Sequence, residues 1–396
     1  MSKMHNEQLD DSSTDASSAV DWVRRAKALI PAIDAAAGQI DSEGRIVPQV
    51  MSAMHEAELF RMCLPRSMGG GEAPPLTVME TVEAIASAEA STAWCLGQAL
   101  GCSRTAAVVA PEVAREIFGA SDAVLAWGPP NGPVKAVPVD GGYRLTGKWK
   151  FVSGIRNANW LGAHCQMADE DGNKFIRTLL LPASSADITD VWRVIGLKGT
   201  GSDNFEVEDL FVPEEFSFVR DSAADRREDG PLYRLPLTTF YGIAFAGVAL
   251  GVARTALNAF IALAADKTPN HSTMILRENP AVQRELARAE ANLGSARAYL
   301  VERIITAWES GEPPDSWTLD HRARLRIACT NAVMQARDTV AFAYQSAGSS
   351  AILEDNPFER RFRDINAVAQ QAQGQPVNFE HGGSALLGVE HRGGRV

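Results

Sequence analysis

The chain has 396 residues, of which 45% are hydrophobic and 22% are charged, so its length and composition suit a globular protein of two or three domains. The formal net charge of -11 argues against nucleic acid or an anionic membrane surface as a general partner. Five cysteines, odd in number and without metal-site spacing, favour reduced thiols over a disulfide scaffold. We therefore expect a cytoplasmic protein with no metal centre, no secretory leader, and no apolar run near the roughly 18 residues of a membrane span.

The first part of the chain predicts helices. Residues 1–17 are polar and rich in aspartate and serine, so we expect a disordered tail. Residues 18–121 should form an N-terminal helical domain, because apolar side chains recur there at three- and four-residue spacing. One predicted helix, at 92–109, is apolar and rich in alanine, and it contains Trp94. We expect that helix to be buried.

The periodicity changes to two over residues 122–219, which predicts a central β-domain. An Asp-Gly-Gly turn at 140–142 joins two short strands as in a β-hairpin, and a similar turn follows at 171–173. Residues 195–204 are rich in glycine and hydroxyl side chains and run into an alternating strand, predicted to be the last, that Pro213 closes. Short antiparallel strands at regular spacing predict a small barrel or sandwich.

Residues 220–396 predict a C-terminal helical bundle. After a charged, proline-containing linker at 220–236, apolar residues recur at helical spacing almost to the end. Asn279 and Pro280 make a good helix start, a side-chain cap followed by proline at the first position. Two long helices in succession need partners, so we predict a four-helix bundle whose excess apolar face forms a homotetramer contact. The predicted fold class is α+β.

Four motifs, in this order of domains, resemble those of the acyl-CoA dehydrogenase superfamily. They are a proline-x-x-x-glycine-glycine turn at 65–70, a glycine–lysine–tryptophan hairpin running into Phe-Val-Ser-Gly at 143–154, the glycine-rich turn and strand at 195–213, and an arginine–aspartate motif at 357–364. The resemblance covers nearly the whole chain. It implies an acyl-CoA dehydrogenase-like fold that binds a flavin.

The residues that decide the reaction in this superfamily follow the arginine–aspartate motif. The resemblance places the proton-abstracting glutamate of acyl-CoA dehydrogenases at Ala372, and alanine cannot take a proton. The chain looks more like a second branch, the two-component flavin-dependent monooxygenases, through residues 90–94, 151–154 and 385–388. Many enzymes of that branch have a histidine where this chain has Gln371, which can hydrogen-bond but cannot act as a base near neutral pH.

Membership of this branch implies an oxygenase component that receives reduced FMN or FAD from a separate NAD(P)H-flavin reductase. The reduced flavin reacts with O2, and a C4a-hydroperoxyflavin transfers one oxygen atom to a small aromatic or heteroaromatic substrate, indole- or phenol-like. Gln371 favours a substrate that needs no deprotonation, such as an electron-rich heteroaromatic ring. Two alternatives stay open: an FAD-dependent acyl-CoA dehydrogenase with a displaced base, for example Glu380, and a non-catalytic flavin-binding paralogue.

The resemblance also implies which residues form the site. The catalytic candidates are Gln371, Glu380 and His381. Trp94 is a candidate wall of the substrate pocket, although a tryptophan on an apolar helix is often simply part of the core. Serine and threonine are common in turns for structural reasons, and an arginine beside the C-terminal helices can serve to fix them. The implied flavin contacts are Trp127, Gly128, Phe151, Ser153, Thr200, Ser202 and Arg363.

Overall fold

Helices occupy both ends of the chain and strands its middle, as the change of periodicity predicts. The computed structural model describes residues 7–270, 272–309 and 318–389, with side chains from residue 21 onward. The chain divides into two units, each drawing on segments that are distant in sequence. The first comprises Met1–Thr77, Cys95–Arg193 and Lys198–Leu237, and the second Val78–Trp94, Val194–Leu197 and Thr238–Val396. The predicted boundaries of three consecutive domains, after residues 17, 121 and 219, stay predictions.

Five α-helices precede the strands in the described residues. Proline stands at the first positions of the second and fifth helices, where its missing N–H costs no hydrogen bond. The fourth begins where the buried carboxylate of Glu89 accepts hydrogen bonds from the N–H groups of Ser91 and Thr92, at 2.9 and 2.6 Å. The helices are α1 (Glu7–Glu43), α2 (Pro48–Glu56), α3 (Pro75–Ala88), α4 (Ala90–Ser103) and α5 (Pro111–Phe118).

The structure differs from the predicted disordered tail over residues 1–17, because α1 begins at Glu7. Residues 1–6 lie outside the described residues. Extending an existing helix adds one hydrogen bond for each residue that is fixed, whereas only the first turn carries the nucleation cost. A polar segment can therefore continue a helix that a later apolar segment stabilises.

Two four-stranded sheets make up the β-structure of the first unit. The strand order is β1-β4-β5-β8 in one sheet and β2-β3-β7-β6 in the other. The strands are β1 (Leu125–Gly128), β2 (Lys135–Val139), β3 (Gly142–Trp149), β4 (Trp160–Ala168), β5 (Lys174–Pro182), β6 (Asp187–Thr189), β7 (Asn204–Pro213) and β8 (Ser217–Val219).

The sheets depart from the expected pattern in two ways. The pair β1–β4 is parallel, whereas antiparallel strands alone were expected; a parallel pair needs a long crossover, and the β2–β3 hairpin lies within that connection. The strand β7 is also not the last, because β8 follows it and pairs with β5. Both β6 and β8 span three residues, which is too short for an alternating pattern to show.

The two sheets share one apolar core, so the domain is a sandwich. The rings of Trp149 and Phe205 stack at 4.7 Å in its centre, and both residues are fully buried. The indole Nε1 of Trp149 donates a hydrogen bond of 3.1 Å to the carbonyl of His164 in the other sheet. A polar atom in the core thus finds a partner while the ring fills the space between the sheets.

The second unit is helical and contains the predicted bundle. The start of its second long helix is confirmed: Asn279 Oδ1 accepts a 2.9 Å hydrogen bond from the Ala281 N–H, and Pro280 is the first helical residue. The pair Pro313-Pro314, which predicts the end of this helix, lies outside the described residues. The helices are α6 (Leu237–Asp266), α7 (Pro280–Glu309), α8 (Leu319–Ala347), α9 (Pro357–Ala369) and α10 (Val377–Leu386).

Helix α6 corrects the expectation that no segment is apolar enough for a membrane span. Within the described residues it is the one helix that passes by length and composition, and 56% of its most apolar window is buried. The core helix of a soluble protein passes the same test. Arg254 interrupts the apolar run and forms an ion pair of 2.6 Å with Glu290 on α7, which suits a helix packed within a bundle.

Candidate flavin site and substrate pocket

Strand β1 carries two of the predicted flavin contacts, Trp127 and Gly128. It is the edge strand of its sheet, so only one side of it takes part in the ladder. The indole of Trp127 is buried over Gly162, where a Cβ would come within 2.7 Å of the ring. A Cβ on Gly128 would lie 2.0 Å from the carbonyl oxygen of Lys150, so only glycine allows the segment after β3 to pass this closely. The Trp127 carbonyl accepts a 3.3 Å hydrogen bond from Gln98 Nε2.

Phe151 is an exposed aromatic ring on a strained backbone. Its φ of 54° lies in the left-handed region, which L-residues other than glycine rarely adopt, and it is 56% exposed. The ring meets Trp192 edge to face at 6.0 Å. An exposed aromatic surface held at such a cost is a feature typical of ligand sites.

Three predicted flavin residues form a chain of hydroxyl groups. Ser153 Oγ lies 2.8 Å from Ser202 Oγ, which lies 2.7 Å from Thr200 Oγ1, and all three residues are buried. The Gly154 N–H also donates to the Thr200 carbonyl at 2.8 Å. The turn after β3 and the turn before β7 are therefore joined by side-chain and by backbone hydrogen bonds. Hydroxyl groups both donate and accept, so such a chain can serve a ligand atom of either kind at its end.

An ion pair between the buried Asp203 and the partly exposed Arg156, which sequence reasoning missed, supports these two turns. The carboxylate of Asp203 accepts hydrogen bonds from Arg156 Nε and Nη2, at 2.7 and 3.2 Å, and from the N–H groups of Val191 and Trp192, at 3.0 and 3.2 Å. The hydrogen bond with Asp203 is the main cause that raises the pKa of Arg156. The available signal was an aspartate directly after the Gly-Thr-Gly-Ser turn and an arginine shortly after Ser-Gly, two opposite charges in adjoining motifs.

In the second unit, Arg363 and Asp364 hold the Val194–Leu197 segment against α9. Arg363 Nη1 donates to the Ile195 carbonyl at 2.8 Å, and Arg363 Nε pairs with Glu359 at 2.7 Å. Asp364 Oδ1 accepts a 2.7 Å hydrogen bond from the Leu197 N–H. These contacts agree with the structural alternative for Arg363; its flavin contact stays a prediction.

Gln371 lies at the end of α9 in a turn that is fixed by hydrogen bonds. Its Oε1 accepts from the Gln373 N–H at 2.8 Å, whereas its Nε2 is buried without a partner among the described residues. Thr330 Oγ1 donates to the Gln373 carbonyl at 2.9 Å, and Asn378 Nδ2 donates to the Ala372 carbonyl at 2.9 Å. A buried amide N–H group without a partner is costly, and a hydrogen bond to a ligand would remove that cost.

The other two catalytic candidates and Trp94 also belong to the second unit. Glu380 is exposed on α10, and His381 is half-buried beside it in sequence. Trp94 is buried and stacks on Phe245 at 3.8 Å, and Phe245 stacks on Tyr241 at 5.4 Å along α6. Trp94 is therefore one end of a stack of three aromatic rings, and its contact with substrate stays a prediction.

The structure thus sorts the predicted site residues into two groups. The first unit brings together β1, Phe151 and the hydroxyl chain, and the second holds the Gln371 turn, α10, Arg363 and Trp94. An edge strand, an exposed aromatic ring and buried hydroxyl groups fit a flat heteroaromatic ring with polar edges, so the residues present fit a flavin. Within the described residues, no group of three or more histidine, cysteine or acidic side chains could hold a metal ion.

This fold, together with β1, Phe151 and the hydroxyl chain of the first unit, defines a flavoprotein of the acyl-CoA dehydrogenase type. Comparison with known proteins agrees. Residues 243–376 match the family model for the acyl-CoA dehydrogenase C-terminal domain. An indole-3-acetate monooxygenase of Pseudomonas putida is 32% identical over 356 residues, which cover 89% of this chain and 90% of that protein. A second indole-3-acetate monooxygenase, from Acinetobacter baumannii, is 26% identical, over 90% of this chain and 91% of that protein. The flavin-dependent monooxygenase oxygenase subunit HsaA of Rhodococcus jostii is 26% identical, over 89% and 94% of the two chains.

A solved structure shows the same fold. XiaF from a Streptomyces species, in complex with FADH2 and glycerol, matches with a TM-score of 0.89 at 23% identity, over 98% of this chain and 100% of that one. The chain belongs to the two-component flavin-dependent monooxygenases, as an oxygenase component that uses reduced flavin. The monooxygenase interpretation is confirmed over the dehydrogenase and the non-catalytic alternatives.

Proposed function

We propose that this oxygenase component acts on a small indole-like substrate, with reduced flavin supplied by a separate NAD(P)H-flavin reductase in the cytoplasm. The observation that carries the proposal is Gln371, an amide with a buried, unpartnered N–H group where other enzymes of this kind have an acid or base. An amide can hold a substrate atom by a hydrogen bond but cannot remove its proton. An indole ring is electron-rich without deprotonation, and relatives named for indole-3-acetate support the same class.

The roles of this chain's residues follow from their chemistry. When bound, the reduced flavin supplies the electrons that activate O2. Ser153, backed by Ser202 and Thr200, orients the flavin by hydrogen bonds. The stacked rings of α6 and Trp94 offer an apolar, water-poor wall to an aromatic substrate. Glu380 and His381 are the candidates for moving a proton, since both are titratable and lie on the helix that follows the Gln371 turn.

We also propose a homotetramer whose contacts include the C-terminal segments of the second unit. Large apolar side chains are exposed there without cover from the described residues of one chain, Leu387 at 81% and Ile352 at 65%, together with Leu353 and Leu386. Exposed apolar patches of this kind mark interaction sites. Sedimentation of the purified protein tests this: a species of four chains is expected, and a monomer would contradict it.

The function is tested with the purified protein, NADH, an independent flavin reductase and either FMN or FAD. Indole-3-acetate, indole, a simple phenol and an acyl-CoA serve as candidate substrates, and oxygen uptake, product mass and released hydrogen peroxide are measured. We expect an oxygenated indole product that depends on this protein and on reduced flavin. Oxygen uptake that ends only in hydrogen peroxide with both indoles would overturn the proposed substrate class. Product from the phenol alone would overturn the inference from Gln371.

A further inference from the structure

Lys150 follows strand β3 and directly precedes Phe151, the exposed aromatic residue of the candidate flavin site. The lysine is half-buried. Its N–H donates a 3.0 Å hydrogen bond to the Pro129 carbonyl, and the Val152 N–H donates to the Asp203 carbonyl at 3.2 Å. The backbone on both sides of Phe151 is therefore tied to neighbouring segments of the first unit, and this fixes the point from which the Lys150 side chain extends.

The ammonium group of Lys150 lies over the ring of Phe151. Its Nζ is 5.5 Å from the ring centroid, a distance at which the face of an aromatic ring attracts a cation. Phe151 is 56% exposed, so a large part of its ring is open to a ligand. A flat ring packed against Phe151 lies within reach of this ammonium, because a lysine carries its charge on a flexible four-carbon stem.

The charge of Lys150 has no compensating carboxylate. The other two half-buried lysines of the described residues both have polar partners: Lys198 pairs with Asp41 at 3.6 Å, and Lys267 donates to the Ser350 hydroxyl at 2.7 Å. Within the same part of the chain the aromatic ring is the one electrostatic partner of the Lys150 ammonium. In a protein of net charge -11, a half-buried cation without a counter-charge favours an anionic ligand.

We infer that Lys150 stabilises the negative charge that distinguishes the reduced flavin ring from the oxidised one. The oxidised ring is neutral, whereas the reduced ring without its N1 proton is an anion. An ammonium beside the ring therefore lowers the free energy of the reduced form and leaves that of the oxidised form almost unchanged. This inference rests on the proposed function, because it assigns a charged partner to the same flavin. As a consequence, the protein selects reduced flavin from a solution that contains both forms.

Binding of the two flavin forms to matched lysine variants tests this inference. Lys150→Met removes the charge but keeps a flexible side chain, and Lys150→Arg keeps the charge. The control is Lys148→Met, two residues earlier on β3, where the ammonium is paired with Glu206 on β7. The Kd values of FMN and FAD are measured for the oxidised form and, under anaerobic conditions, for the reduced form. Riboflavin serves as the probe without a phosphate.

The wild-type protein should bind reduced flavin more tightly than oxidised flavin. In Lys150→Met the Kd for the reduced form should rise about 3- to 10-fold, between the effect of an exposed ion pair and that of a buried charged hydrogen bond. The Kd for the oxidised form should change less than about twofold. Because the ratio of the two Kd values sets the midpoint potential of the bound flavin, that potential should fall in Lys150→Met. It should stay near the wild-type value in Lys150→Arg and in Lys148→Met.

The other outcomes separate this inference from the proposed function. If the wild-type protein binds none of the reduced flavins, the flavin site is wrong and the proposed function fails with it. If it binds them, and Lys150→Met changes neither Kd or raises both equally, Lys150 does not respond to the charge of the ring; the inference is then wrong and the proposed function stands. An equal rise with FMN that is absent with riboflavin would identify a phosphate contact, and it would overturn the inference in the same way.

Discussion

Replacement of Ser153 by alanine tests whether this residue of the first unit binds the flavin. The Ser153 hydroxyl is one end of a chain in which Ser202 keeps a second partner, Thr200, at 2.7 Å. The change removes the hydrogen bond with Ser202, and Ser202 keeps its bond with Thr200, so the free energy of unfolding should fall by only about 0.5–1.5 kcal/mol. If Ser153 also bonds the flavin, the affinity for reduced flavin should fall by the same amount, which is about 2- to 13-fold in Kd.

The assay is an anaerobic titration with reduced FMN and with reduced FAD. Thr200→Val removes the hydroxyl at the far end of the chain, so it should have a smaller effect on Kd than Ser153→Ala but a similar effect on stability. Ser42→Ala, at an exposed serine of α1, is the matched control and should change neither. An unchanged Kd for both reduced flavins in Ser153→Ala would refute the assignment of Ser153 to the flavin. If Thr200→Val raised the Kd for reduced flavin more than Ser153→Ala does, Ser153 would not be the hydroxyl group that contacts the flavin.

Three further predictions concern stability. The carboxylate of Asp203 accepts four hydrogen bonds, so Asp203→Ala should lower the free energy of unfolding by about 2–4 kcal/mol in urea titrations, and a loss under 1 kcal/mol would contradict its anchoring role. A Cβ at Gly162 would lie 2.7 Å from the Trp127 ring, so Gly162→Ala should cost about 1–3 kcal/mol by the same measurement, whereas Gly38→Ala, where a Cβ meets nothing within 4 Å, should cost nothing. Burial lowers the pKa of His164 to about 3, so the unfolded chain binds a proton there between about pH 6.5 and pH 3 and the folded chain does not. The free energy of unfolding should therefore fall on acidification by up to about 1.4 kcal/mol for each pH unit in that window. Between pH 7 and pH 5 the His164→Gln variant should lose less of it than the wild type. Equal losses in the two proteins would contradict this prediction.

The parts of the fold that local chemistry determines were predictable from the sequence. The Asp-Gly-Gly hairpin joins β2 to β3 as predicted, and the Asn279–Pro280 pair begins α7. In both cases the signal is a short run of residues with a restricted backbone or a capping side chain. The change of periodicity predicts the order of helices, strands and helices, and the family resemblance adds the flavin.

The parts that depend on distant segments were not predictable. The strands β6 and β8 are too short to carry a period, and the partner of β1 is set by a crossover rather than by its own residues. The apolar character of helix α6 does not stand out in the sequence because Arg254 and several polar residues interrupt it. The ion pair of Asp203 with Arg156 joins residues far apart in sequence, and only the fold brings them together.

This chain is an oxygenase component, and we propose that it transfers one atom of O2 to an indole-like substrate. A single turnover tests it most directly: the protein is loaded with chemically reduced flavin, without any reductase, and mixed with isotopically labelled O2 and indole-3-acetate. We expect a product that carries one labelled oxygen atom, formed in proportion to the protein. Full recovery of unlabelled substrate, with all the oxygen released as hydrogen peroxide, would contradict oxygen transfer to an indole. The contradiction would be strongest if an acyl-CoA then reduced the protein's oxidised flavin under anaerobic conditions.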